Sequence, residues 1–176
     1  PPNLSSDFDG ITRPVATMDY TNDKYEFGID FSNVSPIPDN PAGLLKYQID
    51  FKKLIKTEQN KIKKFHRSGA GGREVIQAHT SLIDSVLCYL INELAASRKK
   101  ISAETILEEF SLIAVGGYGR GELNPCSDID LLFLTSKNIR RSTDLLIQDF
   151  IPILWDLGLE VGSSCRSLQE CLVLAE

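Results

Sequence analysis

The stretch Ser111 to Leu134, SLIAVGGYGRGELNPCSDIDLLFL, decides the reading of this chain. A run of β-formers, Leu112-Ile113-Ala114-Val115, stops at Gly116-Gly117, where bare backbone lets a bulky anion come close. Ten residues, Tyr118 to Ser127, separate that glycine pair from Asp128-Ile129-Asp130, which opens a second apolar run, Leu131 to Leu134. Side chains alternate across a strand, so Asp128 and Asp130 are expected on one face. Two carboxylates on one face, near a glycine turn with free amides, suit Mg²⁺ carrying a triphosphate.

Working outward, Thr135 to Asn138 turns the chain into a helix expected over 142–157, amphipathic through Leu145, Leu146, Gln148, Ile151, Leu154 and Trp155. Pro152 inside it predicts a kink, and Gly158 supplies the stop. A third strand is expected over 159–166, then a closing helix with Ser167 as N-cap and Glu170 in its first turn. Upstream, a polar link at 98–100 and a short helix over 103–110 lead into the glycine-bearing strand. Residues 73–97 carry a strong helical period, expected to lie against the sheet, and His79 on its apolar stripe reads as a packed, locally bonded histidine. Leu44 to Arg67 forms another amphipathic helix through Leu44, Tyr47, Phe51, Leu54, Ile55, Ile62 and Phe65. Its lysines, with Arg67, read as a solvated face near the carboxyl end, and His66 as a surface residue at the helix end. Ser68 to Gly72 connects the two helices. Residues 1–43 hold most of the prolines and read as an irregular arm, pinned by a short alternating patch over 25–31. The expected division is therefore an arm over 1–43, a helical region over 44–100 and an α/β core over 101–176.

The 176 residues and 42% hydrophobic content suit one domain of ordinary size. Nineteen Lys plus Arg against twenty-four Asp plus Glu give a net charge of −5, which argues against a general attraction to nucleic acid or anionic lipid. Four cysteines, Cys88, Cys126, Cys165 and Cys171, include no C-x-x-C pair and read as reduced thiols. There is no basic-then-apolar signal pattern at the start, and no apolar run nears the ~20 residues a membrane span needs. A cytoplasmic protein is expected, with no nucleic-acid or membrane partner.

The Gly-Gly, ten-residue, Asp-x-Asp spacing resembles the signature of the nucleotidyltransferase superfamily related to DNA polymerase beta. The longer string Gly116-Gly117-Tyr118-Gly119-Arg120-Gly121-Glu122-Leu123-Asn124-Pro125, with Ser127-Asp128-Ile129-Asp130-Leu131, is narrower. It resembles the amino-terminal catalytic domain of bacterial PII uridylyltransferases. The segment Leu154 to Gly162, LWDLGLEVG, with Arg166 and Leu168 behind it, is also similar to that family. Likeness is dense over 73–176 and thin before.

The resemblance implies transfer of UMP from UTP to a tyrosine hydroxyl on a PII-type signal protein, with Mg²⁺, in two copies, held by Asp128 and Asp130. A third acid on a neighbouring strand is usual in the superfamily; Glu160 is placed for it, or is a solvated edge residue. Gly116, Gly117 and Gly119 would offer amides to the β- and γ-phosphates. Ser127 would donate a hydroxyl to the same phosphates or cap its turn. Arg120 would clamp the pyrophosphate part or pair with Glu122 to hold the loop, and Tyr118 would pack beside it. Uracil specificity comes from the family alone. Glutamine synthetase adenylyltransferase-like domains share Gly-Arg-Gly-Glu-Leu and Ser-Asp-Ile-Asp, and a regulatory or binding module without turnover is the alternative from another class. In the family, a uridylyl-removing hydrolase domain and glutamine-sensing domains follow, which 176 residues do not hold, so a fragment of a longer chain is expected. The fold expected is a small α/β (α+β) domain with a mixed sheet of three to five strands, flanked by helices and preceded by a helical pair.

Overall fold

The computed structural model describes residues 29, 31, 34–38, 40–97, 105, 108–136 and 139–174. Most of the expected arm, five of the seven residues of its patch over 25–31 and half of the short helix expected over 103–110 lie outside these. Helix α1 spans Pro41–Arg67 and starts three residues before the expected position. The cause is local: the Asn40 side chain accepts from the Gly43 amide at 2.8 Å, and Pro41 stands in the first turn, where its missing N–H costs nothing. Tyr47, Phe51, Ile55 and Ile62 are buried along one face, whereas Lys61 pairs with Glu58 at 2.7 Å on the helix itself. Gly69, at φ 105°, helps reverse the chain into helix α2, Gly72–Ser97. The two helices share an aromatic seam, with Phe51 stacked on Tyr89 at 5.7 Å and Phe31 on Tyr89 at 4.2 Å.

Three strands form one mixed sheet in the order β1-β2-β3, which is the α+β architecture expected. Strand β1, Phe110–Ala114, runs antiparallel to β2, Ile129–Thr135, and β2 runs parallel to β3, Val161–Ser167. Strand β1 begins two residues earlier than expected: Phe110 is not a helix end but pairs with Thr135 and packs 5.9 Å from Phe133. Between β1 and β2 lies a one-turn helix α3, Gly116–Gly119. The parallel β2–β3 step is bridged by helix α4, Arg141–Asp156, which passes through Pro152. Helix α5, Leu168–Val173, closes the chain, and its capping box is complete: Ser167 accepts from the Glu170 amide and Glu170 accepts in return from the Ser167 N–H.

On β2 the buried residues are Ile129, Leu131 and Phe133, and Phe150 of α4 meets Phe133 edge-on at 6.0 Å. Helix α2 packs mainly on α1 and α4, not on the sheet as its apolar stripe predicts. One continuous core nevertheless runs from the helical pair through α4 to the strands.

Glu109 clasps the sheet to α4. Its carboxylate accepts from the Arg140 backbone and guanidinium and from the Thr143 hydroxyl, and Thr143 is fully buried. The Thr143 bond first, then those to Arg140, hold the Glu109 carboxyl below its ordinary range against an opposing desolvation. A carboxyl depressed in the folded state stabilises above its unfolded pKa and loses that contribution as pH falls through the folded one. Urea titrations from neutral pH into the acid range should therefore show a decrement in wild type below the ordinary glutamate range. Glu109→Gln should lack that step and be less stable at neutral pH by about 1–3 kcal/mol; identical pH profiles would refute the clasp.

Candidate active site

Asp128 and Asp130 flank the buried Ile129 at the mouth of β2, and both are exposed. Asp128 precedes the strand and Asp130 is its second residue. The parity of the strand thus gives both acids the face opposite Ile129, Leu131 and Phe133. The backbone here is fastened on both sides: Val115 N–H donates to the Asp130 carbonyl at 3.0 Å, and Ile129 N–H to the Glu160 carbonyl at 2.8 Å.

The Asp130 carboxylate is lodged between two glycines from different elements. A Cβ at Gly116 would stand 3.0 Å from Asp130 Oδ2, and a Cβ at Gly162 would stand 2.9 Å from Oδ1. Gly116 also has φ 61°, which side-chain-bearing residues rarely adopt. The carboxylate therefore occupies a cradle that only bare backbone leaves open. Across Gly162 lies a hollow of about 520 Å³ lined by Asp128, Glu160, Gly158, Gly162 and Trp155. Glu160, expected as the second residue of a strand over 159–166, instead stands immediately before β3, which begins at Val161, and it shares this hollow with Asp128. Among the described residues no three His, Cys, Asp or Glu side chains converge closely enough to hold a metal ion, so Glu160 joins the hollow without closing a three-ligand cluster.

The glycines divide by task. The amides of Gly116 and Gly117 open α3, where no earlier carbonyl of the turn accepts from them. The Gly119 amide instead donates to the Val115 carbonyl at 2.9 Å. A Cβ at Gly119 would come within 2.6 Å of the Ala114 carbonyl oxygen, so close backbone packing accounts for this glycine. Arg120 takes the loop-holding arrangement: Nε donates to Glu122 at 3.1 Å and Nη1 to the Gly116 carbonyl at 3.0 Å. Its guanidinium thus braces the turn from which Gly116 and Gly117 present their amides. Ser127 is exposed one residue before Asp128, with its amide on the Asn124 carbonyl.

Tyr118 is a packing residue, 5% exposed, whose hydroxyl donates to Asp84 of α2 at 2.5 Å. Burial raises the Asp84 pKa and the Tyr118 bond opposes that rise. Thr80 of α2 accepts from the Leu123 amide at 3.2 Å, so the loop between the glycines and the acids is anchored twice to one helix. His79 is buried beside it; burial lowers its pKa, against a hydrogen bond to the Leu123 backbone that raises it, and its Nδ1 has no partner among the described residues. All four cysteines are free thiols. Trp155, which helical periodicity places on the core stripe of α4, is 57% exposed and faces the hollow. Its neighbours in sequence, the Leu-Trp-Asp-Leu-Gly turn, were the available signal: a helix end tied to the start of β3 has to bring its last turn beside the acids.

Among the described residues no helix is long and apolar enough to cross a membrane. Residues 92–162 match the nucleotidyltransferase domain family. The chain is 39% identical over 121 residues to a bifunctional uridylyltransferase/uridylyl-removing enzyme of Pseudomonas putida KT2440, covering 69% of this chain and 13% of that protein. Enzymes of the same description from Pseudomonas syringae B728a and Pseudomonas fluorescens SBW25 are each 38% identical over the same lengths. The match thus spans about an eighth of these relatives. No solved structure matches the chain. With the matched segment running from the end of α2 through β1, the glycine turn and the acids at the mouth of β2, to Gly162 in β3, this chain carries a nucleotidyltransferase-family domain similar to that of the uridylyltransferase/uridylyl-removing enzymes.

Proposed function

We propose that this domain transfers UMP from UTP to a tyrosine hydroxyl of a PII-type nitrogen-signalling protein. The observation that carries the reading is the Asp130 carboxylate seated between Gly116 and Gly162, with Asp128 and Glu160 in the adjoining hollow. The donor set fits Mg²⁺: two exposed carboxylates offer hard oxygen ligands, and the bare backbone at Gly116 and Gly162 makes room for the Asp130 carboxylate to sit at the mouth of β2. Asp128 and Asp130 would hold the ions, which lower the pKa of an attacking hydroxyl and neutralise departing pyrophosphate.

The chain's own groups then divide the work. Gly116 and Gly117 present amides to the β- and γ-phosphates, as backbone donors at a turn do for anions. Arg120 keeps that turn in shape through the Gly116 carbonyl and Glu122. Ser127 adds a hydroxyl near the acids. Glu160 orients the acceptor and takes its proton. The acceptor oxygen bonds to the α-phosphorus, the bond to the bridging oxygen of the β-phosphate breaks, and pyrophosphate leaves with that electron pair.

Incubating the chain with UTP labelled in its α-phosphate, Mg²⁺ and a PII-type protein tests this reading. Label should appear on a tyrosine of the acceptor, and none should appear when EDTA is present from the start. An adenylylated product under ATP, with none under UTP, would assign the domain to the adenylyltransferase class instead.

A further inference from the structure

A single exposed aromatic side chain needs no explanation by itself. Trp155 differs in its placement. The indole Nε1 donates to the Val161 carbonyl at 3.3 Å, so the ring is fixed to the first residue of β3, and it lines the hollow that Asp128, Glu160 and Gly162 also line. Gly116 lies against one oxygen of Asp130 and Gly162 against the other, so the carboxylate separates the glycine turn from this hollow.

In-line displacement at phosphorus puts the entering and leaving oxygens on opposite sides. A triphosphate tail over Gly116 and Gly117 directs pyrophosphate toward the glycine turn, which leaves the entering oxygen to approach from the Gly162 side. That is the side of Glu160 and Trp155. An indole there is a flat apolar face beside a carboxylate, a combination suited to an aromatic ring bearing a hydroxyl.

Resting on the transferase reading above, we propose that Trp155 is the acceptor platform: its indole stacks on the ring of a phenolic side chain whose hydroxyl Glu160 orients. The phenolic oxygen forms the new bond to the α-phosphorus, its proton passes to the Glu160 carboxylate, and the α-phosphorus bond to the β-bridging oxygen breaks as pyrophosphate departs. Trp155 positions the acceptor and takes no part in bond making.

The chain contains one tryptophan, so its indole emission reports on this position alone. With UTP and Mg²⁺ bound, as checked by calorimetry, N-acetyltyrosinamide should change that emission saturably and N-acetylserinamide should not. In transfer assays Trp155→Ala should raise the KM for the PII-type acceptor about three- to tenfold, the worth of an aromatic pair, and leave the KM for UTP unchanged. Trp155→Phe should restore most of the acceptor affinity, which a merely structural role would not require. A raised KM for UTP with an unaltered acceptor KM would make Trp155 a nucleobase platform and overturn the proposal. So would an emission indifferent to N-acetyltyrosinamide while UTP is bound. Failure of the wild-type chain to bind UTP in the calorimeter would instead defeat the transferase reading, and this one with it.

Discussion

Asp130→Ala, alone or with Asp128→Ala, should abolish Mg²⁺-dependent binding of UTP in calorimetry and lower transfer by on the order of 10³-fold, the scale expected when a preorganised charge-stabilising group is lost. The fold should survive, because both acids are exposed at the mouth of β2 and neither packs in the core. Asp130→Asn is the sharper variant. It keeps the shape that fits between Gly116 and Gly162, so any loss reports on charge alone. UTP binding that is independent of Mg²⁺ and untouched by these substitutions would refute the enzymatic reading and favour a nucleotide-binding module.

The largest effect on stability should come from Phe150→Ala. Phe150 has no exposed surface, sits at the centre of α4 and meets Phe133 edge-on, and Phe133 in turn packs on Phe110. One side chain therefore couples the helix to two strands. Truncation removes its buried apolar surface and leaves a cavity that the surrounding rings fill only in part, at a cost of about 3–5 kcal/mol. Thermal unfolding should show a correspondingly lower midpoint, while Leu145→Ala on the exposed side of the same helix should change it little. Equal effects of the two substitutions would mean that the α4 face has been assigned wrongly.

Strands β1 and β2 were legible because their apolar runs are bounded by residues with physical meaning: glycine after β1, alternating acids at the mouth of β2. The helices were legible from their period. What escaped notice depended on neighbours. Phe110 follows two glutamates and reads as a helix end, yet cross-strand pairing with Thr135 claims it for β1. Three glycines in four residues argue against a helix, but the Val115 carbonyl and the Gly119 amide close a turn there. Gly119 looked like a phosphate residue, whereas its lack of a side chain answers to the Ala114 carbonyl, a contact between residues that the local pattern does not reveal. Asn40-Pro41 was a readable helix start that a proline-rich surrounding obscured. Trp155 followed the period of α4 into a supposed core position, because periodicity places a residue on a helix face without saying where the partner surface ends.

The double fastening of the glycine-to-acid loop on α2 has a mechanical consequence. Tyr118 reaches Asp84 and Leu123 reaches Thr80, positions one helical turn apart on the same rod. A rod held at two points by a short span transmits both translation and twist to it. Whatever grips the long hairpin of α1 and α2 at its far end therefore has a lever on the glycine turn.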